Sequence, residues 1–452
     1  MTRMGPPGDG EGHGRSDGGD SGRGDAPDDG PGGGSDAGSD GALRGSADLA
    51  VESADDGPGG GRSDWFRWRI LALGLGAQTA SCAFLFGIPF LVPAMQRAEN
   101  LTLSQAGTVV VAPSIGLLLT LILWGAAADR YGERLVMALG LGASGLLLLV
   151  AGLTGPSLSA LFGLLVAAGA CTASVNAASG RVVMGWFSAA ERGVAMGIRQ
   201  TAQPLGVGIA ALALPLLAEH AGYRGAMLLP AALALAVAVL VAWFVVDPPR
   251  PERDGNGDRP HRDRSPYRGA TLWRVHGASA LLVVPQFAVS AFAPVYLVTM
   301  HDWSALAAGA FLAVLQGLGA LGRLAAGYWS DRVRSRLRPM RTLAMASALV
   351  MLLLAGGDAT WSWLAVGALT LAAVITVSDN GLGFTASAEL AGLSWAGRAM
   401  GVQNTTQNLA AVLTPPLLGL VIGDTRYALA FCVAALFPVM AVWLTPVRSE
   451  RW

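Results

Sequence analysis

Twelve apolar runs, each long enough to cross a hydrocarbon core as a helix, follow one another from Trp68 almost to the end of the chain. They lie near residues 68–95, 104–128, 134–153, 157–180, 195–217, 224–246, 272–299, 304–330, 341–357, 361–386, 400–423 and 426–446. At 1.5 Å per residue, about 20 helical residues cover a core of about 30 Å. Lipid offers nothing to backbone N–H and C=O groups, so a crossing segment must satisfy them internally, as a helix does. The expected fold class is therefore an all-α membrane protein with twelve transmembrane helices. Only 14% of the 452 residues are charged, against about a quarter in soluble domains.

Residues 1–64 break this pattern. They are Gly, Asp, Ser and Pro with almost no aromatic residue, and such a segment cannot bury enough apolar surface to offset chain entropy. It reads as a disordered tail, and without an apolar stretch it is not a secretory signal. A second polar stretch, 247–271, is rich in Pro, Arg and Asp. It reads as a linker between two six-span halves, 65–246 and 272–447, with 448–452 as a short C-terminal end.

Arginine placement orients the chain, because cytoplasmic loops keep the excess of basic residues. The loop after span two carries Arg130 and Arg134. The stretch after span six carries Arg250, Arg253, Arg259, Arg262, Arg264, Arg268 and Arg274, and the loop after span eight Arg332, Arg334, Arg336, Arg338 and Arg341. The opposite side holds Arg97, Arg224 and Arg426. Both termini and the linker are expected in the cytoplasm, as parts of a multi-pass cell-membrane protein.

The two halves repeat one another. Gly125-Ala-Ala-Ala-Asp129-Arg130 closes span two and Gly327-Tyr-Trp-Ser-Asp331-Arg332 closes span eight, 202 residues later. Ala195-Met-Gly-Ile-Arg199-Gln-Thr-Ala-Gln203 aligns with Ala399-Met-Gly-Val-Gln403-Asn-Thr-Thr-Gln407 at an offset of 204. Gln78 falls opposite Gln286 at 208, and Asn176 opposite Asn380 at 204. Four matches in order, at nearly one offset, imply duplication. Six spans is an even number, so the halves share one orientation in the bilayer, a parallel repeat.

Several function classes drop out. The formal net charge of zero argues against a nucleic-acid partner. The chain contains no lysine, so it has no phosphate-binding Gly-x-x-x-x-Gly-Lys-[Ser/Thr] loop and cannot by itself drive transport with ATP. Cys82, Cys171 and Cys432 lie singly in apolar runs, which reads as packing rather than metal or redox chemistry. No nucleophile–base pair stands out, so neither an enzyme nor a cofactor is expected.

Twelve spans, a parallel six-plus-six repeat, a basic central loop and Gly125-x-x-x-Asp129-Arg130-Tyr131-Gly132-Glu133-Arg134 after span two resemble the major facilitator superfamily, in its bacterial twelve-helix form. The resemblance covers about 65–447. The second box is degenerate after its Arg, with Val333-Arg334 in place of Tyr-Gly. Gly125 lets two helices approach closely. Asp129 ends a helix, where it can accept from free N–H groups at a neighbouring helix start. The resemblance implies that this neighbour is span eleven and that the contact latches an outward-open state. By pseudo-symmetry Asp331 would latch against the start of span five. Arg130 and Arg134 would pair with acids or face lipid phosphates, Arg332 would belong to the second gate, and Arg181 and Glu389 would join the gate's charge network. The plainer alternative is that Asp129 and Arg130 only cap span two and fix topology.

Charges inside a bilayer are costly, so each is a candidate functional group. Arg199 lies about two turns into span five and suits a carboxylate or similar anion; the alternative is a structural or interfacial Arg. Its repeat partner Gln403 is neutral. Arg323 and Asp379 lie deep in spans eight and ten. Asp379, a carboxyl withdrawn from water, is the candidate for proton coupling, with an ion pair to Arg323 or Arg199 as the alternative. The resemblance implies that spans one, four, seven and ten line a central cavity, which makes Gln78, Asn176, Gln286 and Asn380 the lining candidates. With Arg199 and Gln403 they form the expected substrate set.

The expected function is secondary active transport of a small polar, anionic solute by rocker-switch alternating access. Protons are the candidate coupling ion, the bilayer is the other partner, and family resemblance implies a monomer. One alternative is proton-driven efflux of an amphipathic drug or secondary metabolite. For this, Gln203-Pro204-Leu-Gly-Val-Gly208 resembles the antiporter Gly-Pro-x-x-Gly-Gly motif, minus its first Gly. The other is a transport-dead membrane sensor.

Overall fold

The computed structural model describes residues 64–248, 265–360, 362–423 and 426–450. The expected tail up to residue 63, the linker residues 249–264 and residues 451–452 lie outside the described residues. Among the described residues there is no strand.

The helices of the first half are α1 (Asp64–Leu85), α2 (Val92–Glu99), α3 (Leu103–Tyr131), α4 (Glu133–Thr154), α5 (Leu158–Trp186), α6 (Arg192–Gln200), α7 (Ala202–Ala226) and α8 (Leu228–Phe244). Those of the second are α9 (Ala270–His301), α10 (Ala305–Arg332), α11 (Leu337–Thr360), α12 (Ser362–Ser378), α13 (Asn380–Ala391), α14 (Ala396–Ile422) and α15 (Tyr427–Leu444). Ten helical stretches are long and apolar enough to cross a membrane, counting α6 with α7 and α12 with α13 as single stretches. The pair α1 and α2, bent by 41°, makes an eleventh. The wholly apolar α8, 17 residues long, makes the twelfth.

The breaks have local causes. Pro89 and Pro93 stand at the bend between α1 and α2. Pro204 has no N–H for the Gln200 carbonyl four residues back, and α6 ends at Gln200. Span ten breaks at Asp379, which sits between α12 and α13.

The halves meet at two crossings, α3 on α14 and α6 on α10. Gly125 faces Gly397 at the first and Gly193 faces Gly327 at the second. A Cβ on any of the four would run into the facing glycine's carbonyl oxygen, so only glycine permits this approach. Separate apolar clusters fill each half. A third, with Leu71, Val183, Met196, Phe384, Ala396 and Met400, draws on both. Large apolar side chains such as Leu119, Leu212, Trp243, Leu306, Leu420 and Trp443 are exposed on the outside, as lipid contact requires.

Candidate functional site: a central cavity above two latches

Three helices order three layers along their lengths. On α6, Gly193 and Val194 make the latch, Met196 packs in the shared apolar cluster, and Arg199 and Gln200 line the cavity. On α14 the order is Gly397 and Arg398, then Met400, then Asn404 and Gln407. On α13 it is Glu389, Ala388 and Asn380. The cavity is thus separated from the latched face by an apolar plug made by both halves.

The cavity encloses about 700 Å³, including space open to solvent. Gln78, Asn176, Arg199, Gln286 and Asn380 all line it. The amides are paired within each half. Gln78 Nε2 donates to Asn176 Oδ1 at 2.8 Å, and Asn380 Nδ2 donates to Gln286 Oε1 at 3.1 Å. The same contact is made twice at the repeat offset.

Arg199 is buried, and its bonds go to neutral groups. Nε donates to Ser179 Oγ at 2.8 Å, Nη2 to the Asn176 carbonyl at 3.0 Å and Nη1 to Gln200 Oε1 at 3.0 Å. Among the described residues no carboxylate pairs with it. A buried cation without a counter-ion is costly, so the cavity wall carries an unneutralised positive charge. Sequence reasoning passed over Phe384 and read Cys82 as packing alone, and both line the same space.

Gln403 is not among the lining residues. It is fully buried, and its Oε1 takes bonds from His276 Nδ1 at 2.5 Å and Ser387 Oγ at 3.0 Å. Gln403, expected in the substrate set, thus turns its Oε1 into its own half and does not border this cavity. Asp379 does not line the cavity either, although its neighbour Asn380 does. Asp379 lies within electrostatic reach of Arg323 but forms no ion pair with it or with Arg199 among the described residues. Asp379 Oδ2 and Arg323 Nε and Nη1 have no hydrogen-bond partner.

At the latched face, Asp129 accepts the backbone N–H groups of Gly397 at 2.8 Å and Arg398 at 3.0 Å. Asp331 accepts those of Gly193 and Val194, both at 2.8 Å. Each carboxylate therefore caps the first free amides of a helix from the opposite half. Arg181 Nη1 lies 3.3 Å from Asp129, and its Nε lies 3.0 Å from Glu133. The matching cation at Asp331 is Arg336, which reached the sequence reading only as one of several basic loop residues. Its side chain is fully buried and donates to Asp331 at 2.5 Å, to Ser330 Oγ at 2.7 Å and across the halves to the Ala189 carbonyl at 2.5 Å. Glu389 lies 3.3 Å from Arg336 and 3.6 Å from Arg192 of the other half. A signal for Arg336 was present, since it falls 202 residues after Arg134.

Arg130, Arg134 and Arg332, expected at the gate, are exposed and donate to neither latch carboxylate. Arg130 lies over the Tyr131 ring, and Arg134 Nε donates to the Ala242 carbonyl at 2.7 Å.

Known proteins agree with this architecture. An uncharacterised MFS-type transporter of Mycobacterium tuberculosis is 43% identical over 386 residues, covering 84% of this chain and 85% of that one. A probable sulfoacetate transporter of Cupriavidus necator is 27% identical over 77% of this chain and 85% of its own length. The fold is shared with the E. coli fucose:proton symporter at a TM-score of 0.67 and 16% identity, over 84% of this chain and 98% of that one. The family profile of the Major Facilitator Superfamily matches residues 73–415, so the chain belongs to this superfamily of membrane transporters, which are not enzymes.

Proposed function

We propose that the chain carries a small organic or inorganic anion across the cell membrane by alternating access, and that this structure is the state closed at the latched face. The observation that carries the reading is Arg199, a buried cation in the cavity wall whose bonds are all to neutral groups. An anion entering the cavity would meet that charge together with the paired amides of both halves, each able to donate or accept. A charge-assisted bond of this kind contributes about 1.5–3 kcal/mol, enough for roughly tenfold to a hundredfold discrimination against a neutral analogue. The relative named for sulfoacetate, an organic anion, supports the same class of cargo.

The latched face carries the arginine-rich loops, so it is taken as cytoplasmic, and the closed latches make the state outward-facing. Asp129 and Asp331 hold that state by capping helix starts in the opposite half. Opening toward the cytoplasm would break both sets of bonds together. Asp379, buried beside Arg323 and outside the cavity, is the candidate to carry a coupling proton. The two halves close on one another within one chain, so a monomer suffices.

A thermal-shift screen of purified protein tests the cargo class, setting small carboxylates, sulfonates and oxyanions against cationic amphiphiles. Anions should raise the melting temperature of the wild type and not that of Arg199→Gln. Stabilisation by cationic amphiphiles alone, or an undiminished anion response in the variant, would overturn the reading.

A further inference from the structure

Each half ends on a carboxylate that closes the turn following its own Gly-x-x-x-Asp-Arg box. Past α8, Asp247 Oδ1 accepts the backbone N–H of Arg134 at 2.8 Å. Past α15, Glu450 Oε1 accepts the backbone N–H of Arg336 and that of Leu337, and Glu450 Oε2 accepts the Ser335 hydroxyl. Asp247 and Glu450 stand 203 residues apart, while Arg134 and Arg336 stand 202 apart. One contact is therefore made twice at the repeat offset, between groups that no sequence alignment of the spans had paired.

The turns themselves correspond. Gly132 has φ 97°, and Arg334, 202 residues later, has φ 48°. Glycine adopts such a conformation freely, but a residue with a Cβ does so at a cost. The second turn therefore starts at a disadvantage and depends more on outside bonds. Glu450 offers it three acceptor contacts, and two of these take free amides at the start of α11, where a carboxylate also complements the helix dipole.

What this turn holds in place is Arg336. The turn delivers its side chain to Asp331, Glu389 and the Ala189 carbonyl of the other half. Glu450 also borders the crevice between the halves, beside Ala189, Arg192 and Glu389. The first half differs at this point. Arg134 turns outward to the Ala242 carbonyl, and Arg181 comes from α5 to serve Asp129.

We propose that Glu450 is a positioning residue for the Asp331 latch. It clamps the 333–336 turn so that Arg336 stays aimed across the halves. Asp247 is its structural counterpart, but because Arg134 leaves the latch, the Asp247 clamp sets the start of α4 and not the Asp129 latch. The segment that follows α15 thereby reaches one of the two gates directly. The proposal rests on the latch reading above.

Hydrogen exchange of the full-length protein in lipid nanodiscs, read by mass spectrometry, tests it without a known solute. In Glu450→Gln the peptide holding Gly193 and Val194 should exchange several-fold faster than in the wild type. The peptide holding Gly397 and Arg398 should be unchanged, and Asp247→Asn should leave the Gly193 peptide unchanged. Ser335→Ala, a milder loss of the same clamp, should accelerate the Gly193 peptide to a smaller degree. Asp331→Asn is the control and should accelerate it most. If Asp331→Asn accelerates that peptide while Glu450→Gln and Ser335→Ala do not, the clamp is refuted and the latch stands. If Asp331→Asn has no effect, the latch reading falls and the clamp with it. Equal acceleration of both peptides by Glu450→Gln would mean general loosening and would also refute the clamp.

Discussion

The Phe384 ring of α13 sits against the Arg199 guanidinium, with 5.5 Å between Cζ and the ring centroid, and the two residues belong to opposite halves. The negative face of an aromatic ring attracts a cation. Every hydrogen bond from Arg199 stays within its own half, to Ser179, Asn176, Gln200, Gln78 and the Met196 sulfur. Phe384 is thus the contact by which the second half registers the position of this charge. A rocking motion that separates α13 from α6 would change the environment of Arg199 without breaking its own hydrogen bonds.

Arg199→Lys should lose most anion binding even though the charge is kept. The planar guanidinium donates in three directions at once, to Ser179, the Asn176 carbonyl and Gln200, and an ammonium on a flexible stem cannot reproduce that fork. Isothermal titration with the anion that most stabilises the wild type should show a loss of about tenfold or more, corresponding to about 1.4 kcal/mol. Equal affinity in the Lys variant would mean that only charge matters at this position.

Gly397→Ala should destabilise the closed state at its α3–α14 crossing. The added Cβ would strike the Gly125 carbonyl, which is backbone and cannot swing aside. Overpacking of this kind costs about 1–3 kcal/mol. Gly193→Ala should act alike at the α6–α10 crossing, where the obstacle is the Gly327 carbonyl. Both variants should show faster modification of a cysteine placed in the latched-face crevice, and Gly208→Ala, which meets open space, should not.

Much of this architecture was legible because bilayer crossing leaves a strong periodic signal. The run at 104–128 became α3 (Leu103–Tyr131), and the run at 272–299 became α9 (Ala270–His301). The break at Asp379 was not legible, since span ten has no proline and its glycine before the break, Gly367, lies a full twelve residues away. The repeat register found Gln78, Asn176, Gln286 and Asn380 because equivalent positions on equivalent helices face the same axis. That register misled at Gln403, because it pairs backbone positions and says nothing of where a side chain reaches. Arg199 and Gln403 are equivalent in register, yet one lines the cavity and the other bonds His276. Arg336 was hidden for a different reason. Counting loop arginines to orient the chain treats them as interchangeable; the offset from Arg134 singled Arg336 out, but its burial, against the exposure of Arg332, comes from packing.

Asp129→Asn should cut transport while leaving folded, membrane-inserted protein. An asparagine keeps one acceptor oxygen but presents an NH₂ group to the second amide, so one of the Gly397 and Arg398 bonds is lost. The charge that pairs with Arg181 goes as well. Hydrogen bonds with a charged partner contribute about 1.5–3 kcal/mol each, so the closed state should lose a large share of its population. Full uptake in proteoliposomes at wild-type expression would remove Asp129 from the gating mechanism.

Asp379→Asn should separate coupling from binding. The Asp379 carboxyl is buried and does not line the cavity, so its neutralisation should leave anion affinity close to that of the wild type. A carboxyl that takes up and releases a proton during each cycle is needed only when transport is driven by the proton gradient. Counterflow, in which labelled solute exchanges for unlabelled solute with no gradient, should therefore persist in the variant. Accumulation driven by an imposed pH difference should fall to the level of passive exchange. Arg323 supplies a check, because its Nε and Nη1 have no hydrogen-bond partner and it lies within electrostatic reach of Asp379. Removing that cation in Arg323→Gln leaves the carboxylate without a nearby counter-charge, so pH-driven accumulation by this variant should differ from that of the wild type while counterflow persists. If pH-driven accumulation survives Asp379→Asn intact, the coupling proton is carried elsewhere.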